Sequence, residues 1–193
     1  MMTDLYPGAV SGVSIEACDG ARVHGVNIKN ITMSRCTCPL FIRLDNRNRA
    51  AEVTSATANK TEIVKEDKGE KPLGKNTFNF KSEMYDITVE SITARDAELP
   101  VIIAGYRQKM KTKRCRNITL RHFDITYRDA VEVRDKRLFI PEYAKVYPEC
   151  WRFRNLPAYG IWARHCEDLT VENFVCKGIK GTHRKEKILK DCK

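Results

Sequence analysis

Four segments of the chain share one pattern of apolar and polar positions: Gly25–Met33, Asp86–Ala94, Asn117–Ile125 and Asp168–Cys176. Each reads polar, apolar, polar, apolar, two polar, apolar, polar, apolar, once Gly25 is admitted at the first place and Val175 at the eighth. Alternation of this kind gives a strand with one face buried. The polar pair in the middle, Lys29-Asn30 or Glu90-Ser91 for example, breaks the period of two. The chain must bend there if both apolar sets are to meet one core. Two short strands joined by a corner, repeated along the chain, build the coils of a β-solenoid. Val, Ile and Thr suit the pleated surface. An antiparallel sandwich would need Gly- and Asn-rich hairpin turns between successive strands, and these are mostly missing.

A third strand per coil fits between these pairs, at Val13–Ala17, Leu40–Leu44, Val101–Ala104 and Ile161–Arg164. From Ile15 to Ile42 is 27 residues (42 − 15), a reasonable single coil. Val13, Ile15, Leu40, Ile42, Leu44, Ile161 and Ala163 are then expected inside. Ser14, Glu16, Phe41, Arg43, Trp162 and Arg164 are expected outside, stacked into one surface stripe. His24 precedes a repeat strand, where Tyr85, Arg116 and Glu167 match it, and reads as a solvent-facing corner. Helix is expected to be scarce.

The whole of 1–193 reads as one partial solenoid domain with two excursions. The first, 47–82, is polar, and the second, 131–157, holds Leu138, Phe139, Ile140, Tyr143, Tyr147, Trp151 and Phe153. So many aromatics predict a folded loop packed on the solenoid, with room for a helical turn. The basic tail, 181–193, is expected to fray or to cap weakly. The first strand follows a short segment containing Pro7 and Gly8, which suits neither a full coil nor a capping helix. Self-association through that open end, burying Val13, Ile15 and Val26, is the expectation.

Composition narrows the function classes. Hydrophobic residues make up 42% and charged residues 31%, and the mean hydropathy is −0.48. No apolar run approaches the roughly 20 residues that cross a bilayer, so no membrane partner is expected. The first residues have no basic n-region and no apolar h-region, hence no secretory signal, and the compartment stays open. The net charge of +10 is compatible with nucleic acid, with an acidic polymer such as a polyuronate, or with a lysine-rich surface alone. Nucleic-acid motifs are absent, so no nucleic-acid partner is expected.

The eight cysteines do not make a zinc knuckle, because Cys36-Thr37-Cys38 is one residue short and no second close pair completes four ligands. No metal and no cofactor are expected, and buried free thiols are the default. Glu16, Asp19 and Asp45 are the carboxylates nearest the expected cleft, and on neighbouring coils they read as ion-pair partners before acid and base. Glu16 beside Arg43 is expected as an exposed pair. Phe41 and Trp162 could stack on sugar rings, and Arg43 and Arg164 could hold uronate carboxylates in a bidentate fork. These four are the candidate substrate-binding residues. A structural role under the 131–157 loop is the equal alternative. His165 and His122 lack a Ser or Cys partner at a suggestive spacing.

Ser11–Glu16, Asp19-Gly20, Asn30–Met33, Pro39–Arg47, Tyr147-Pro148-Glu149, Leu156–His165 and Leu169–Asn173 occur in an order that resembles the C-terminal coils of polygalacturonase-like proteins, glycoside hydrolase family 28. The likeness runs from about Tyr6 to Gly178. It implies a right-handed parallel β-helix and inverting hydrolysis of galacturonate-containing pectic chains without a metal. That chemistry needs an acid and a base about 6.5–9.5 Å apart. The family's Asn-Thr-Asp, Asp-Asp, Gly-His-Gly and Arg-Ile-Lys are all missing here. In the family they lie upstream of the segment matching Tyr6, so no catalytic residue carries over. Two functions are therefore expected: coils of a hydrolase, inactive as this chain, or a non-catalytic solenoid module that binds acidic polysaccharide.

Overall fold

A computed structural model describes residues 11–47, 81–108, 110–128, 139–153, 156–177 and 184–193. Most of the 47–82 excursion, the segment before Ser11 and part of the 131–157 segment lie outside these residues. The described chain is all-β, with one 3-10 turn, Cys150–Phe153, and no α-helix. None of it is a helix long and apolar enough to cross a membrane.

The chain alternates between two parallel sheets. The first contains β1 (Ser11–Ala17), β3 (Cys38–Leu44), β5 (Val101–Ala104), β9 (Ala158–Arg164) and β11 (Lys185–Lys190), in that spatial order. The second contains β2 (Arg22–Ser34), β4 (Glu83–Ala97), β8 (Cys115–Tyr127) and β10 (Cys166–Lys177), again in chain order. Each visit to a sheet lands beside the previous one. This arrangement is compatible with a β-solenoid. The only antiparallel pairing among the described residues is the small hairpin of β6 (Tyr106–Gln108) and β7 (Lys111–Lys113).

Register confirms the repeat residue by residue. Val26, Ile87, Ile118 and Leu169 form one column across the second sheet, and Ile31, Ile92, Phe123 and Phe174 form another. The expected bend falls on the second polar residue of each central pair: Asn30 (φ 58°), Ser91 (58°), His122 (55°) and Asn173 (49°). One left-handed residue reverses the side-chain phase, so both halves of each long strand turn their apolar residues inward. A second left-handed column opens each segment, at Gly25 (65°), Asp86 (55°), Asn117 (48°) and Asp168 (54°). Asn and Asp tolerate this region better than most residues, and here Asn117 Nδ2 also donates to Asp86 Oδ1 at 2.6 Å. His24 pairs in register with Tyr85 and stacks on it at 4.8 Å, an exposed corner as expected.

The first sheet also keeps the expected alignment, with Ile15 opposite Ile42, Ile42 opposite Ile103 and Ile103 opposite Ala163. Ile15, Leu40, Ile42, Leu44, Ile161 and Ala163 lie in the main core, with Val13 packed partly buried against it. Gly105, just after β5, is required by space: a Cβ there would strike the carbonyls of Lys113 and His165. In the basic tail, Lys185–Lys190 pairs in parallel with β9 as the edge strand of the first sheet, where Ile188, in register with Trp162, packs partly buried against the outer cluster.

Candidate functional site

The outer face of the first sheet is where sequence and structure part. Phe41 is 0% exposed, and Arg43, Trp162 and Arg164 are each 1% exposed. The surface stripe expected there is a second core. Ile140, Cys150, Phe153 and Leu156, from the aromatic-rich segment, lie over Phe41, Ile102, Ala104 and Trp162. Phe153 is the wedge, with ring centroids 5.9 Å from Phe41, 5.4 Å from Trp162 and 5.2 Å from Tyr143. An outer face carrying Phe, Ile, Ala and Trp on adjacent strands is too apolar to leave in water, so the chain covers it with its own loop.

The two arginines are the polar half of that cover. Arg43 donates from Nη1 to the Gly105 carbonyl (2.9 Å) and from Nη2 to that of Glu142 (2.8 Å). Arg164 donates from Nη1 to the Ile140 carbonyl (2.7 Å) and from Nη2 to that of Pro141 (2.9 Å). Their guanidinium carbons lie 5.5 Å from the Phe153 ring centroid and 5.0 Å from that of Trp162. Irregular backbone laid on an apolar face would leave buried carbonyls orphaned, and these forks satisfy them. Burial pushes both guanidinium groups down, Arg164 to about 10. With these donors engaged and almost no surface open, the four residues form an internal fastening.

Of the three carboxylates, Asp19 and Asp45 face arginines as expected, and only the Glu16–Arg43 pair is missing. Glu16 stands in register with Arg43 but accepts a bond from Ser14 Oγ (2.6 Å). Arg43 turns instead to Asp45, Nε to Oδ2 at 3.8 Å, with both groups buried. Neither Asp45 oxygen has a hydrogen-bond partner, and desolvation pushes this carboxyl up to about 7 against the pull of Arg43. Asp19 is gripped by Arg47 through the backbone N–H (2.9 Å), Nε (2.9 Å) and Nη2 (2.6 Å).

A cluster that spacing did not reveal sits at the end of β9. The His165 ring lies between two carboxylates, Nδ1 to Asp191 Oδ2 at 2.7 Å and Nε2 to Glu142 Oε2 at 3.1 Å. Both carboxylates accept, so both bonds form only when both ring nitrogens carry a proton. Arg114 binds Asp191 at 2.8 Å, and the Arg107 N–H donates to Glu142 at 2.8 Å. Burial raises the Glu142 carboxyl, but bonds from His165 and Arg107 outweigh it and leave the group below its ordinary value. Asp191 is lowered by Arg114 first and His165 second. The cluster joins the cover, β9 and the last strand, and both ring nitrogens are used in doing so. Its members come together from distant parts of the chain, and only the fold shows it.

On the solvent side, the cover presents aromatics beside arginines. Tyr147 is 56% exposed, and the Arg47 guanidinium lies 5.0 Å from its ring centroid. Arg152 lies 4.5 Å over the half-buried Trp151 and donates from Nε to the Tyr147 carbonyl (3.0 Å). Trp151 Nε1 donates to Glu149 (2.9 Å), which fixes the indole plane. Among the described residues no group of three His, Cys, Asp or Glu side chains could hold a metal. No protein-family model matches this chain, and it has no match among curated proteins or solved structures.

Proposed function

We propose that this chain is a non-catalytic module of the right-handed parallel β-helix type that holds an acidic polysaccharide, of the pectic polyuronate kind, on its cover. Right-handedness follows the strong rule for crossovers between parallel strands. The observation that carries the binding reading is the solvent side of the cover, where the exposed Tyr147 stands with the partly buried Trp151, Arg47 and Arg152. Aromatic faces suit the C–H faces of pyranose rings, and the Arg152 guanidinium suits a uronate carboxylate, the Arg47 fork being closed on Asp19. The net charge of +10 draws a polyanion toward it. Asp19 is held by Arg47 and Asp45 is fully buried, so neither presents a carboxyl to a bound sugar, which supports binding over hydrolysis.

Calorimetric titration with oligogalacturonate tests the reading. Binding should weaken about tenfold in Trp151→Ala and in Tyr147→Ala, should fall with added salt, and should vanish with the fully methyl-esterified chain. Equal affinity for the neutral chain, or unchanged affinity in both variants, overturns it.

The hydrolase alternative draws on the first coil. Val13, Val23, Val26 and Ile28 are only partly buried there, as they would be if upstream coils of a longer polygalacturonase-like enzyme covered them. In the isolated chain the same surface is a seat for self-association. Release of reducing ends from polygalacturonate by this chain would favour chemistry over binding. Sedimentation equilibrium of wild type against Val13→Lys reads the association.

A further inference from the structure

The last two coils stack cysteines. Cys166 is in register with Cys115. The Lys193 N–H donates to the Cys166 carbonyl (3.1 Å) and the His165 N–H to the Lys190 carbonyl (3.1 Å), which brings Cys192, two residues past the edge strand, level with Cys166. Neighbouring strands run about 4.8 Å apart, inside the roughly 4.4–6.8 Å Cα separation that a disulfide spans. The two side chains take the same course, each sulfur facing the carbonyl two residues before it, Arg164 and Lys190, at 3.6 Å. Cys166 is fully buried, and Cys192 is partly open to solvent.

We propose that Cys192 and Cys166 form a redox-active dithiol, with Cys192 the attacking and Cys166 the resolving thiol, whose oxidation by a small-molecule disulfide ties the last strand to the coil beside it. The proposal stands on the fold alone and does not depend on what the cover binds. The environment separates the two sulfurs. The bond from the Cys166 thiol, opposed by burial and aided by the Arg114 charge, holds Cys192 down to about 6. Donating that bond pushes Cys166 up. The other partly exposed thiols go the opposite way: burial raises Cys18, and pushes Cys176 up to about 12. Only the thiolate is a competent nucleophile, so Cys192 is marked out among the accessible cysteines.

With glutathione disulfide as oxidant the atoms balance. The Cys192 thiolate attacks one glutathione sulfur, breaks the reagent's S–S bond and releases one glutathione thiolate. Cys166 then loses its proton, and its sulfur attacks Cys192 Sγ, breaking the mixed disulfide and releasing the second glutathione thiolate. From the Cys192 thiolate and the Cys166 thiol the pair gives up two electrons and one proton; the two released glutathione thiolates carry the electrons, and the proton goes to one of them or to water. A bridge between in-register neighbours on an edge strand must draw that strand inward. The resulting strain favours a reducible bond over a permanent one.

The test uses the full wild-type chain in glutathione redox buffers, quenched by alkylation and read by peptide mass spectrometry. The expected species is a peptide pair joined through Cys166 and Cys192, reversed by excess reduced glutathione. Iodoacetamide should label Cys192 with a pH midpoint at least one unit below those of Cys18 and Cys176, and Arg114→Gln should raise that midpoint. Cys166→Ser should retain glutathione on Cys192. A stable glutathione adduct on Cys192 in wild type, a bridge between Cys115 and Cys166 instead, or Cys192 labelling in step with Cys18 would each overturn the proposal.

Discussion

The two sheets are built from similar strands and differ in what lies outside them. The second sheet faces water across its outer side, so its strands alternate and its outer residues form columns of charge, such as Lys29–Glu90 and Arg121–Glu172. The first sheet is sandwiched between the main core and the cover, and β3 and β5 are buried along their whole length. An arginine therefore means two things in this chain. On the second sheet it is half of a solvated pair. On the first, Arg43 and Arg164 are interior groups that supply hydrogen bonds to the Ile140, Pro141 and Glu142 carbonyls of the covering loop.

The largest effects should come from loosening the cover. Trp162→Ala removes the ring that meets Phe153 and carries Arg164, and should cost about 3–5 kcal/mol in urea denaturation. Phe153→Ala should fall in the same range. Val175→Ala, on the second sheet with 53% of its surface exposed, should cost less than about 0.5 kcal/mol. A near-neutral Trp162→Ala would mean that the outer face is open after all, and would return the stripe of Phe41, Arg43, Trp162 and Arg164 to the surface.

The buried pair gives the next effect, read as a slope against pH. The Asp45 carboxyl sits near 7 in the folded chain against an ordinary value of 3.8. Between these values the folded chain keeps a proton that the unfolded chain releases, so stability falls as pH rises through this window. The contribution is whole below the ordinary value and gone above the folded one, on the order of 2–4 kcal/mol in all. Asp45→Asn should flatten this stretch of the stability curve, whatever it does to the absolute value beside Arg43. A wild-type curve that rises steadily from pH 4 to 7 would show that Asp45 is ionised and compensated.

What the sequence made legible follows the same division. The repeat was readable because water on one side imposes alternation, and the polar pair at its centre marked the corner before any coordinates. The alignment of Ile15 with Ile42 followed from two segments of matching pattern one coil apart. Phe41 and Arg43 were misplaced because alternation assigns sides without saying what covers them. Only the density of aromatics in 131–157 hinted at the cover. The seat of His165 was illegible, since Glu142 and Asp191 reach it from loops about two dozen residues away on either side. Nor does a lone Asp45 after a strand announce that both its oxygens will be buried.

The corner column offers a smaller, more local test. Asn30 and Asn173 hold left-handed backbone that a β-branched residue resists, so Asn30→Val and Asn173→Val should each cost roughly 1–2 kcal/mol. Glycine at either place should lie within about 0.5 kcal/mol of wild type. The penalty should appear only at these corners. Thr32→Val, two residues on in ordinary strand geometry, serves as the control. If valine is tolerated equally at Asn30 and Thr32, the bend does not need its left-handed residue.

The smallest effect tests the other half of the comparison. Arg121 Nε and Glu172 Oε2 are 2.9 Å apart, with side chains 44% and 49% exposed. A double-mutant cycle through Arg121→Ala and Glu172→Ala should give a coupling of only about 0.2–1 kcal/mol, because water screens the pair and ordering two long side chains offsets the attraction. At 1 M salt, where the screening length is about 3 Å, it should fall toward zero. The cost of Arg164→Ala should hardly change with salt, since its forks close on backbone carbonyls inside a dry layer. The contrast in salt response is the sharper measurement, because geometry alone would rank the two arginines alike: both make good bonds at ordinary lengths. If the Arg121 coupling persisted at 1 M salt, the outer face of the second sheet would also be shielded from solvent, and the distinction between an open sheet and a covered one would fail.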